Sequence, residues 1–356
     1  MARPPGDNGP VYYSLVQRTT PIPPLDVNQT LVKISAAALN HRDHFLRQNL
    51  YPGTALGVPI LGDGSGVVVD IGSQVPAHWK HKRVMIYPGS GWLSSPKGPE
   101  DGGYLNILGG TVYNPQGTLA EYMVVDWKDL EETPGHLTDV QAAALPIAGL
   151  TAWRALCTKG GVTGNCAGKQ VLITGIGGGV ALMLLAFAVA QGADVWVTTS
   201  KEEKLKEAVR LGAKGGVNYR EDKWDAQLLE LLPPQHKHFD VIVDGAGGDI
   251  VDRGVRLLSS GGVISIYGMT LSPKMPFTMK AVLKNIDVRG STMGSRREFG
   301  EMVEFVRRKG VTPIVHRVVD GIDNMEGIEE LFGMLESGAQ FGKLVIRIAN
   351  PDKGKL

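Results

Sequence analysis

The stretch VLITGIGGGVALMLLAFAVAQGADVWVTTS, residues 171–200, contains the most informative structural pattern in this chain. An apolar strand pattern runs into Gly175, Gly177, Gly178 and Gly179 and then directly into a helical pattern. Backbone amides and the positive end of the helix would converge there, which favours a bound pyrophosphate. A second strand pattern follows after about 20 residues, as in a dinucleotide-binding unit. The alternative is a tight strand-to-helix turn that holds no ligand.

Strand and helix patterns alternate from residue 168 to residue 291. Six segments read as strands: VLITG, DVWVTTS, GGVNY, DVIVDGA, GGVISIYG and IDVRGS. Helical patterns such as KEEKLKEAVRLGA and GDIVDRGVRLLSS separate some of them. This alternation predicts an α/β fold with a doubly wound parallel sheet. The apolar run VALMLLAFAVA, residues 180–190, is too short to span a bilayer, so we expect a buried helix there.

The sequence on either side of this region has a different rhythm. Residues 10–147 contain short strand-like runs such as LVKISAAAL, GVVVDIG and RVMIYPG between proline and glycine turns, which predicts a mostly β domain. The glycine-rich connection 88–117 is long enough to suggest a functional loop. The tail has two helical patterns and a final strand, GKLVIRI, which we expect to pack on the first domain. The predicted divisions are therefore 1–148, 149–289 and 290–356.

Composition limits the classes of partner. The chain has 356 residues and is 43% hydrophobic, enough for two domains with separate cores. Lysine plus arginine number 37 against 36 acidic residues, so no charge excess indicates nucleic acid or an anionic membrane. A small molecule is the expected partner. The start, MARPPGDNGP, carries no signal-peptide or anchor pattern, and we expect a cytoplasmic protein. Cys157 and Cys166 are too few for a disulfide framework and are read as reduced thiols.

The end of the second predicted strand indicates the type of cofactor. An NAD enzyme usually places a carboxylate there, but this chain has Thr199, Ser200 and Lys201. Ser200 and Glu203 form an S-x-x-E capping box, and that role of Ser200 requires no ligand. Lys201 would lie in the first helical turn, where the helix dipole disfavours a cation by roughly 0.3 to 1 kcal/mol unless a phosphate binds. We predict NADP(H) rather than NAD(H); the alternative is a solvated lysine.

Further residues are expected at the same site. Tyr219, at the end of the third predicted strand, is placed to lie against the adenine and ribose edge. We expect the cofactor site to be completed by Val180, Gly245, Gly268 and Met293.

Several motifs follow one another in a recognisable order along the chain. They are the N-x-x-D of Asn40 to Asp43 followed by Arg47 and Leu50-Tyr51-Pro52, LGDGSGVV at 61–68, AALPIAGLTAWRAL at 143–156, GIGGGVA at 175–181 and GKLVI at 342–346. Together they resemble the medium-chain dehydrogenase/reductase superfamily, in its zinc-free branch of quinone oxidoreductases and enoyl reductases. The resemblance implies a GroES-like β-rich catalytic domain, a Rossmann domain, and a cleft between them for cofactor and substrate. It also implies a homodimer, paired through GGVISIYG as an edge strand.

The stretch LNHRDHFLRQNLYP, residues 39–52, raises the question of a metal. In the zinc-dependent alcohol dehydrogenases of this superfamily, the catalytic metal is held at three positions that here are Asn40, Gly62 and Ile147. Zinc requires nitrogen, sulfur or oxygen donors, and glycine and isoleucine side chains supply none. His41 and His44 are read as ordinary polar or core histidines. We therefore predict that no metal is bound.

The resemblance also suggests roles for residues in the catalytic domain. Tyr51 stands where enoyl reductases of this branch carry a tyrosine proposed to donate a proton; the alternative is an aromatic ring that only packs. Asn40 and Asp63 would orient water, substrate or ribose, although Asp63 is also consistent with a purely structural role. Thr151 resembles a residue that contacts the nicotinamide amide, with a helix N-cap as the alternative.

Without a Lewis acid, an unactivated ketone is hard to reduce, whereas hydride addition to an enone, enoyl thioester or quinone gives a delocalised enolate that a few donors can stabilise. The sequence therefore predicts an NADPH-dependent reductase of activated double bonds or quinones, acting on a small molecule with a conjugated acceptor. Two alternatives remain: a zinc-independent carbonyl reductase or alcohol dehydrogenase, and a non-catalytic NADPH-binding protein.

Overall fold

The computed structural model describes residues 11–272 and 274–348 of the chain. The stretch MARPPGDNGP, on which the absence of a signal pattern was judged, lies outside the described residues. The described chain forms two compact units. One is built from the chain up to Ile147 together with the chain from Ser295 onward, and the other is Ala148–Gly294. In the described part of the chain, no helix is long and apolar enough to cross a membrane.

The first unit begins with mostly β-structure. Its elements are β1 Gln29–Ala38, α1 His41–Arg47, β2 Asp63–Ile71, a 3-10 turn Ala77–Trp79, β3 Arg83–Ile86, β4 Gly89–Ser90, β5 Asn106–Ile107, β6 Tyr122–Asp126, a 3-10 turn Trp127–Asp129, β7 Leu130–Glu132 and α2 Asp139–Ala143. Strand β1 is the centre of this region, because it pairs antiparallel with both β2 and β6. Its apolar side chains Val32 and Ile34 are buried, which fixes the register of a sheet with one face in the core.

The second unit alternates strands and helices. Its elements are α3 Pro146–Trp153, a π-helical turn Arg154–Lys159, β8 Gln170–Ile173, α4 Gly179–Ala190, β9 Asp194–Thr199, α5 Glu202–Arg210, β10 Gly215–Asn218, α6 Trp224–Glu230, β11 Phe239–Asp244, α7 Ile250–Leu257, β12 Leu258–Ile266, α8 Met279–Leu283 and β13 Asp287–Gly290. The strands are parallel in the order β10-β9-β8-β11-β12-β13. This is the Rossmann order, and it confirms the predicted doubly wound sheet. Helix α4 is buried over most of its length, as its apolar sequence predicts.

The strand order places the glycine loop at the switch point of this sheet. Strand β8 lies between β9 and β11, so the chain leaves the centre of the sheet in both directions. In open parallel sheets, ligands bind beyond the carboxyl ends of the strands at such a point. Residues 174–179 follow the carboxyl end of β8, which gives them this position.

The C-terminal tail returns to the first unit. Its elements are α9 Arg296–Lys309, β14 Val315–Asp320, α10 Met325–Ser337 and β15 Lys343–Arg347. Strand β15 pairs antiparallel with β1, and β14 pairs parallel with β15. The sheet order is β14-β15-β1-β2-β3-β7. Phe332 of α10 and Ile346 of β15 are fully buried in the same core as Val32. The pairing of β15 with β1 brings Lys343 close to the end of β1.

One expectation about strand positions is wrong. The segment GGVISIYG lies in β12, which is inside the sheet, because it pairs with β11 on one side and β13 on the other. Val263 of β12 pairs with Val241 and with Asp287. The sixth strand, β13, therefore occupies the edge where β12 was expected.

Candidate active site

The glycine loop between β8 and α4 has a backbone conformation that favours glycine. Gly175 and Gly177 have φ angles of 65° and 129°, which side chains other than glycine rarely adopt. The amide of Gly175 donates to Thr198 Oγ1 at 3.1 Å, and that of Ile176 donates to the Thr198 carbonyl at 2.8 Å. The loop is thus tied to the end of β9. The first amides of α4 have no acceptor within the helix, so they form a positive N-terminal end that begins after Gly178.

A buried carboxylate, which the sequence analysis did not identify, supports this loop. Asp244 ends β11 and accepts hydrogen bonds from the Thr174 hydroxyl at 2.5 Å and from the Gly247 amide at 2.7 Å. Its burial raises the pKa, an effect that these two hydrogen bonds oppose. Asp244 therefore joins the carboxyl ends of β8 and β11. A polar residue at the end of a predicted core strand was the available signal for it.

The predicted cofactor residues Gly245 and Gly268 are neighbours in the structure. A Cβ atom on Gly245 would lie 2.5 Å from Cζ of Tyr267, and one on Gly268 would lie 3.0 Å from the Gly245 carbonyl oxygen. The ring of Tyr267 therefore covers Gly245 closely enough to require glycine. Burial, and secondarily Asp244, raises the pKa of Tyr267, which keeps its phenol neutral. The structure thus brings both glycines to the carboxyl ends of β11 and β12.

The start of α5 differs from the prediction in its capping. The helix begins at Glu202, and Lys201 is its N-cap, so the expected capping box of Ser200 and Glu203 does not form. The reason is that the Lys201 carbonyl accepts the first hydrogen bonds of the helix, from the amides of Lys204 and Leu205. Lys201 is exposed at the end of β9, and its amide lies 3.3 Å from the Thr199 hydroxyl.

Lys204 is a second cation at this site, which the sequence analysis missed. A Cβ on Gly177 would lie 3.0 Å from Nζ of Lys204, so this ammonium group lies against the glycine loop. Burial, and secondarily the charge of Lys201, lowers the pKa of Lys204. Two lysines three positions apart share a helix face, and this was the available signal. A bound phosphate would relieve the repulsion between their charges.

Other predicted cofactor residues come together within this unit. The Tyr219 amide donates to the Thr199 carbonyl at 3.0 Å, which places Tyr219 beside the end of β9. The Thr151 hydroxyl lies 3.5 Å from Met293 Sδ. Thr151 is inside α3, so its N-cap alternative is wrong; the helix begins earlier, at Pro146. Met293 has a φ of 45°, an uncommon value for a residue with a side chain. Val180 lies in the first turn of α4.

In the first unit, Asn40, Asp63 and Lys343 form a compact polar cluster. Asp63 is fully buried, and its Oδ1 accepts the Ile147 amide at 2.6 Å. Its Oδ2 accepts Asn40 Nδ2 at 2.8 Å and Lys343 Nζ at 2.7 Å. Lys343 Nζ also donates to Asn40 Oδ1 at 2.7 Å. The structure brings together the predicted Asn40 and Asp63, and it adds Lys343, the lysine of the GKLVI motif.

The burial of Asp63 bears on its predicted role. Both carboxylate oxygens are engaged by protein donors, and the residue has no exposed surface. The Thr118 hydroxyl also donates to its backbone carbonyl at 2.7 Å. This geometry favours the structural alternative for Asp63, whereas Asn40 is only half-buried.

Tyr51 lies on a neighbouring part of the same unit. The guanidinium of Arg42 stands 4.9 Å from the centre of the Tyr51 ring, a cation–π contact. Arg42 is held in turn by the carbonyls of Leu108 and Gly109, each at 2.9 Å, within the 88–117 connection. The ring is therefore positioned by packing, and none of the described residues forms a hydrogen bond with its hydroxyl.

The residues at the three zinc positions do not fit a catalytic zinc. The side chain of Asn40 forms hydrogen bonds with Asp63 and Lys343, and the side chain of Ile147 is an alkyl group without a donor atom for a metal. A Cβ on Gly62 would lie 3.0 Å from both Ile147 Cδ1 and the Leu108 carbonyl oxygen, so no imidazole is accommodated there without movement. Among the residues that the structure describes, no group of three or more His, Cys, Asp or Glu side chains could hold a metal ion.

Comparison with known proteins identifies the family of this chain. The family model described as alcohol dehydrogenase GroES-like domain matches residues 26–135. That described as zinc-binding dehydrogenase matches residues 179–308, a segment without the three zinc positions. The zinc-type alcohol dehydrogenase-like protein YogA of Leptosphaeria maculans is 45% identical over 347 residues, covering 96% of this chain and 96% of that protein. The chain belongs to the medium-chain dehydrogenase/reductase superfamily.

More distant members of this superfamily differ in the cofactor that their names give. The chloroplastic NADPH-dependent alkenal/one oxidoreductase of Arabidopsis thaliana is 29% identical and covers 96% of this chain and 77% of its own length. A crystal structure of an NAD-dependent alcohol dehydrogenase is 30% identical, with a TM-score of 0.81 over 93% of this chain and 95% of that one. Membership confirms the GroES-like and Rossmann domains and an oxidoreductase with an NAD(P)-binding unit.

Proposed function

We propose that this protein is an NADPH-dependent reductase of activated carbon–carbon double bonds or quinones that works without zinc. The observation that carries the proposal is the cluster at the zinc positions. The side chain of Asn40 and the backbone amide of Ile147 hydrogen-bond to Asp63, a buried carboxylate that is paired with Lys343. Protein groups therefore occupy the positions of metal ligands. Without a Lewis acid, acceptors that form delocalised enolates are the suitable substrates.

The proposed reaction is a conjugate reduction. When bound, NADPH supplies a hydride for the β-carbon of the acceptor, and the electron pair of the double bond moves to give an enolate. Donor groups of the protein stabilise the enolate oxygen. The Tyr51 hydroxyl then gives a proton to the α-carbon, which completes a saturated carbonyl product and leaves NADP⁺. The tyrosinate recovers its proton from solvent.

The preference for NADPH rests on Lys201 and Lys204. The end of β9 carries Thr199, Ser200 and Lys201 and no carboxylate that would repel a 2'-phosphate. Lys204 places a second ammonium group close to the glycine loop. The alkenal/one oxidoreductase relative, whose name states NADPH dependence, supports this assignment. The NAD-dependent structural neighbour makes a direct comparison of both cofactors necessary.

A spectrophotometric comparison tests the proposed reaction. NADPH oxidation is followed with 2-cyclohexen-1-one and with cyclohexanone, its saturated counterpart, on protein dialysed against a chelator. We expect turnover with the enone and none with the ketone. Faster reduction of cyclohexanone would instead indicate a carbonyl reductase. Tight NADPH binding without oxidation by any enone, quinone or aldehyde would indicate a non-catalytic binding protein.

We also propose that the protein is a homodimer, paired through β13 instead of β12. No described strand pairs with the outer edge of β13. Exposed apolar side chains lie in β13 and in the segment that precedes it along the chain: Phe277, Met279, Val282, Leu283 and Val288. An unpaired edge beside apolar surface is a suitable place for the same strand of a second copy, related by a twofold axis.

A further inference from the structure

The side chain of Asn40 has a defined orientation because of the two charges beside it. Its Oδ1 faces the ammonium of Lys343 at 2.7 Å, and its Nδ2 faces the carboxylate of Asp63 at 2.8 Å. An ammonium group only donates and a carboxylate only accepts. Rotating the amide by 180° would set N–H groups against the ammonium and an oxygen against the carboxylate. The assignment of oxygen and nitrogen is therefore dictated by chemistry.

This orientation leaves one donor of the amide for another partner. The Nδ2 group has two N–H bonds, and the bond to Asp63 uses one of them. Among the residues that the structure describes, none accepts the second N–H. Asn40 is half-buried, whereas Asp63 and Lys343 are almost completely buried. Asn40 is thus the member of the cluster that a small molecule can reach.

The charge of the cluster also suits an anionic transition state. Alone, the buried carboxylate of Asp63 would oppose negative charge that develops nearby. The ammonium group of Lys343, 2.7 Å away, neutralises this negative charge, and the side chains of Lys343 and Asp63 are 5% and 0% exposed. The accessible group is then a neutral N–H donor on a balanced ion pair, an arrangement that stabilises an oxyanion without reorganisation.

We propose that Lys343 is a positioning residue, which orients Asn40 so that its free N–H binds the carbonyl oxygen of the substrate and its enolate. This inference rests on the proposed function, because it takes the substrate to be an α,β-unsaturated carbonyl compound. Asn40 is the group that touches substrate. Lys343 and Asp63 act only through it.

A double-mutant cycle on turnover tests this dependence. Asn40→Ala removes the donor, and kcat with 2-cyclohexen-1-one should fall about 10²-fold, the usual effect of losing one oxyanion donor. Lys343→Met removes the orienting charge and should cause a similar fall, with an unchanged Kd for NADPH. Because both changes act on one N–H, the double variant should be no slower than the slower single variant. A multiplicative loss of about 10⁴-fold would overturn the proposal.

A matched control separates positioning from stability. Arg47 is a buried cation of the same unit, paired with Glu329 at 2.7 Å. Arg47→Met should lower the melting temperature as Lys343→Met does but leave kcat unchanged. If Lys343→Met also keeps its kcat, the proposal is overturned.

A charge-balanced variant covers the case in which Lys343→Met does not fold, since it leaves Asp63 buried without a counter-charge. The combination of Lys343→Met with Asp63→Asn removes both charges and should fold. In this variant the side-chain amide of Asn40 is no longer held in one orientation. We therefore expect kcat to stay at least about tenfold below that of the parent. Recovery of the parent kcat would overturn the proposal.

A binding measurement distinguishes this inference from the proposed reaction. If the parent reduces no activated alkene, the proposed function fails, but the donor role is still testable. The Kd of the NADP⁺-loaded protein for cyclohexanone is measured by calorimetry. A rise of about tenfold in both Asn40→Ala and Lys343→Met would support the donor role. An unchanged Kd would overturn it.

Discussion

At the scale of single residues, the site contains one buried ion pair and one pair of neighbouring lysines. Asp63 is balanced by Lys343, and the two oxygens of its carboxylate have three protein donors. In the second unit, Lys201 and Lys204 are placed close enough for one to affect the pKa of the other. Residues 199–201, at the end of β9, include no carboxylate that would repel a phosphate. The two lysines are therefore the groups that we propose to bind the 2'-phosphate of NADPH.

The role of Tyr51 can be tested by removing only its hydroxyl. Tyr51→Phe keeps the ring and its contact with Arg42. If the phenol protonates the α-carbon, kcat with an enone should fall roughly 10²-fold while the Kd for NADPH hardly changes. Stopped-flow and steady-state kinetics give both quantities. A variant that turns over within a factor of about three of the parent would assign Tyr51 a packing role only.

The two lysines can be tested through cofactor preference. Lys201→Ala should raise the KM for NADPH and hardly change that for NADH, because only NADPH carries the 2'-phosphate. The combination with Lys204→Ala should abolish the preference for NADPH. Lys206→Ala is the matched control, since Lys206 is exposed on the same helix and faces Glu202. Equal changes for both cofactors in Lys201→Ala would show that this lysine is not a phosphate ligand.

Residues of the site differ in how far the sequence predicts them. Asn40, Asp63 and the glycine loop lie in local motifs, and the structure groups Asn40 with Asp63. Lys343 was part of a quoted motif, but its contact with Asn40 spans 303 positions of the chain. That contact depends on the pairing of β15 with β1, which no local pattern specifies. Lys204 was not predicted, because the direction in which its side chain points depends on the residue at which α5 begins.

At the scale of elements, helix α1 connects Asn40 to the ring of Tyr51. The Asp43 carboxylate accepts a hydrogen bond from the backbone amide of Asn40 at 2.8 Å and forms an ion pair with Arg42 at 3.1 Å. Arg42 in turn contacts Tyr51 and the 88–117 connection. The first turn of this helix therefore positions both residues to which the proposed mechanism gives direct contact with substrate.

The titration of Asp43 gives this element a pH dependence. Burial raises the pKa of Asp43 from 3.8 to about 6, against the opposing effect of Arg42. A raised folded-state pKa favours the protonated form, so its contribution to stability is fully present below pH 3.8 and is lost as pH rises through about 6. In urea unfolding, the free-energy advantage of the parent over Asp43→Asn should decrease by up to about 3 kcal/mol from pH 4 to pH 8. A constant or increasing advantage would contradict the assignment.

The sequence predicts the existence of elements better than their ends. The six Rossmann strands follow from apolar runs between turn residues, and all six form. The start of α5 was misplaced by one residue, because S-x-x-E satisfies a capping box at Ser200 while the backbone begins the helix after Lys201. Thr151 was considered as an N-cap although Pro146 supplies the better signal for the start of α3.

At the scale of the whole molecule, the parallel sheet of the second unit and the mostly antiparallel sheet of the first contribute different groups to the proposed function. The second unit supplies the nucleotide-binding switch point, and the first supplies Asn40, Asp63, Lys343 and Tyr51. The first unit is assembled from both ends of the chain, since β14 and β15 extend the sheet of β1. The order of strands in the second unit also decides which one is free for a partner. Sequence alone did not show that order, and β12 was wrongly placed at the edge.

The proposed dimer is testable by charge at the free edge. Val288 lies in β13 and is exposed, so Val288→Lys should place two like charges near the twofold axis and shift a dimer toward monomer. Leu231→Lys is the control, because Leu231 is equally apolar and exposed but follows α6. Sedimentation velocity across protein concentrations reports the assembly. A parent that sediments as a monomer at every concentration would contradict the dimer.

We propose that a zinc-free site directs hydride to an activated carbon–carbon double bond. The most direct measurement follows deuterium from 4-²H-labelled NADPH into 2-cyclohexen-1-one, using protein shown by metal analysis to contain well under one zinc per chain after chelator treatment. We predict cyclohexanone with deuterium at the β-carbon and an intact carbonyl group. Deuterium at the carbonyl carbon of an allylic alcohol, or turnover that returns only after stoichiometric zinc is added back, would contradict this assignment.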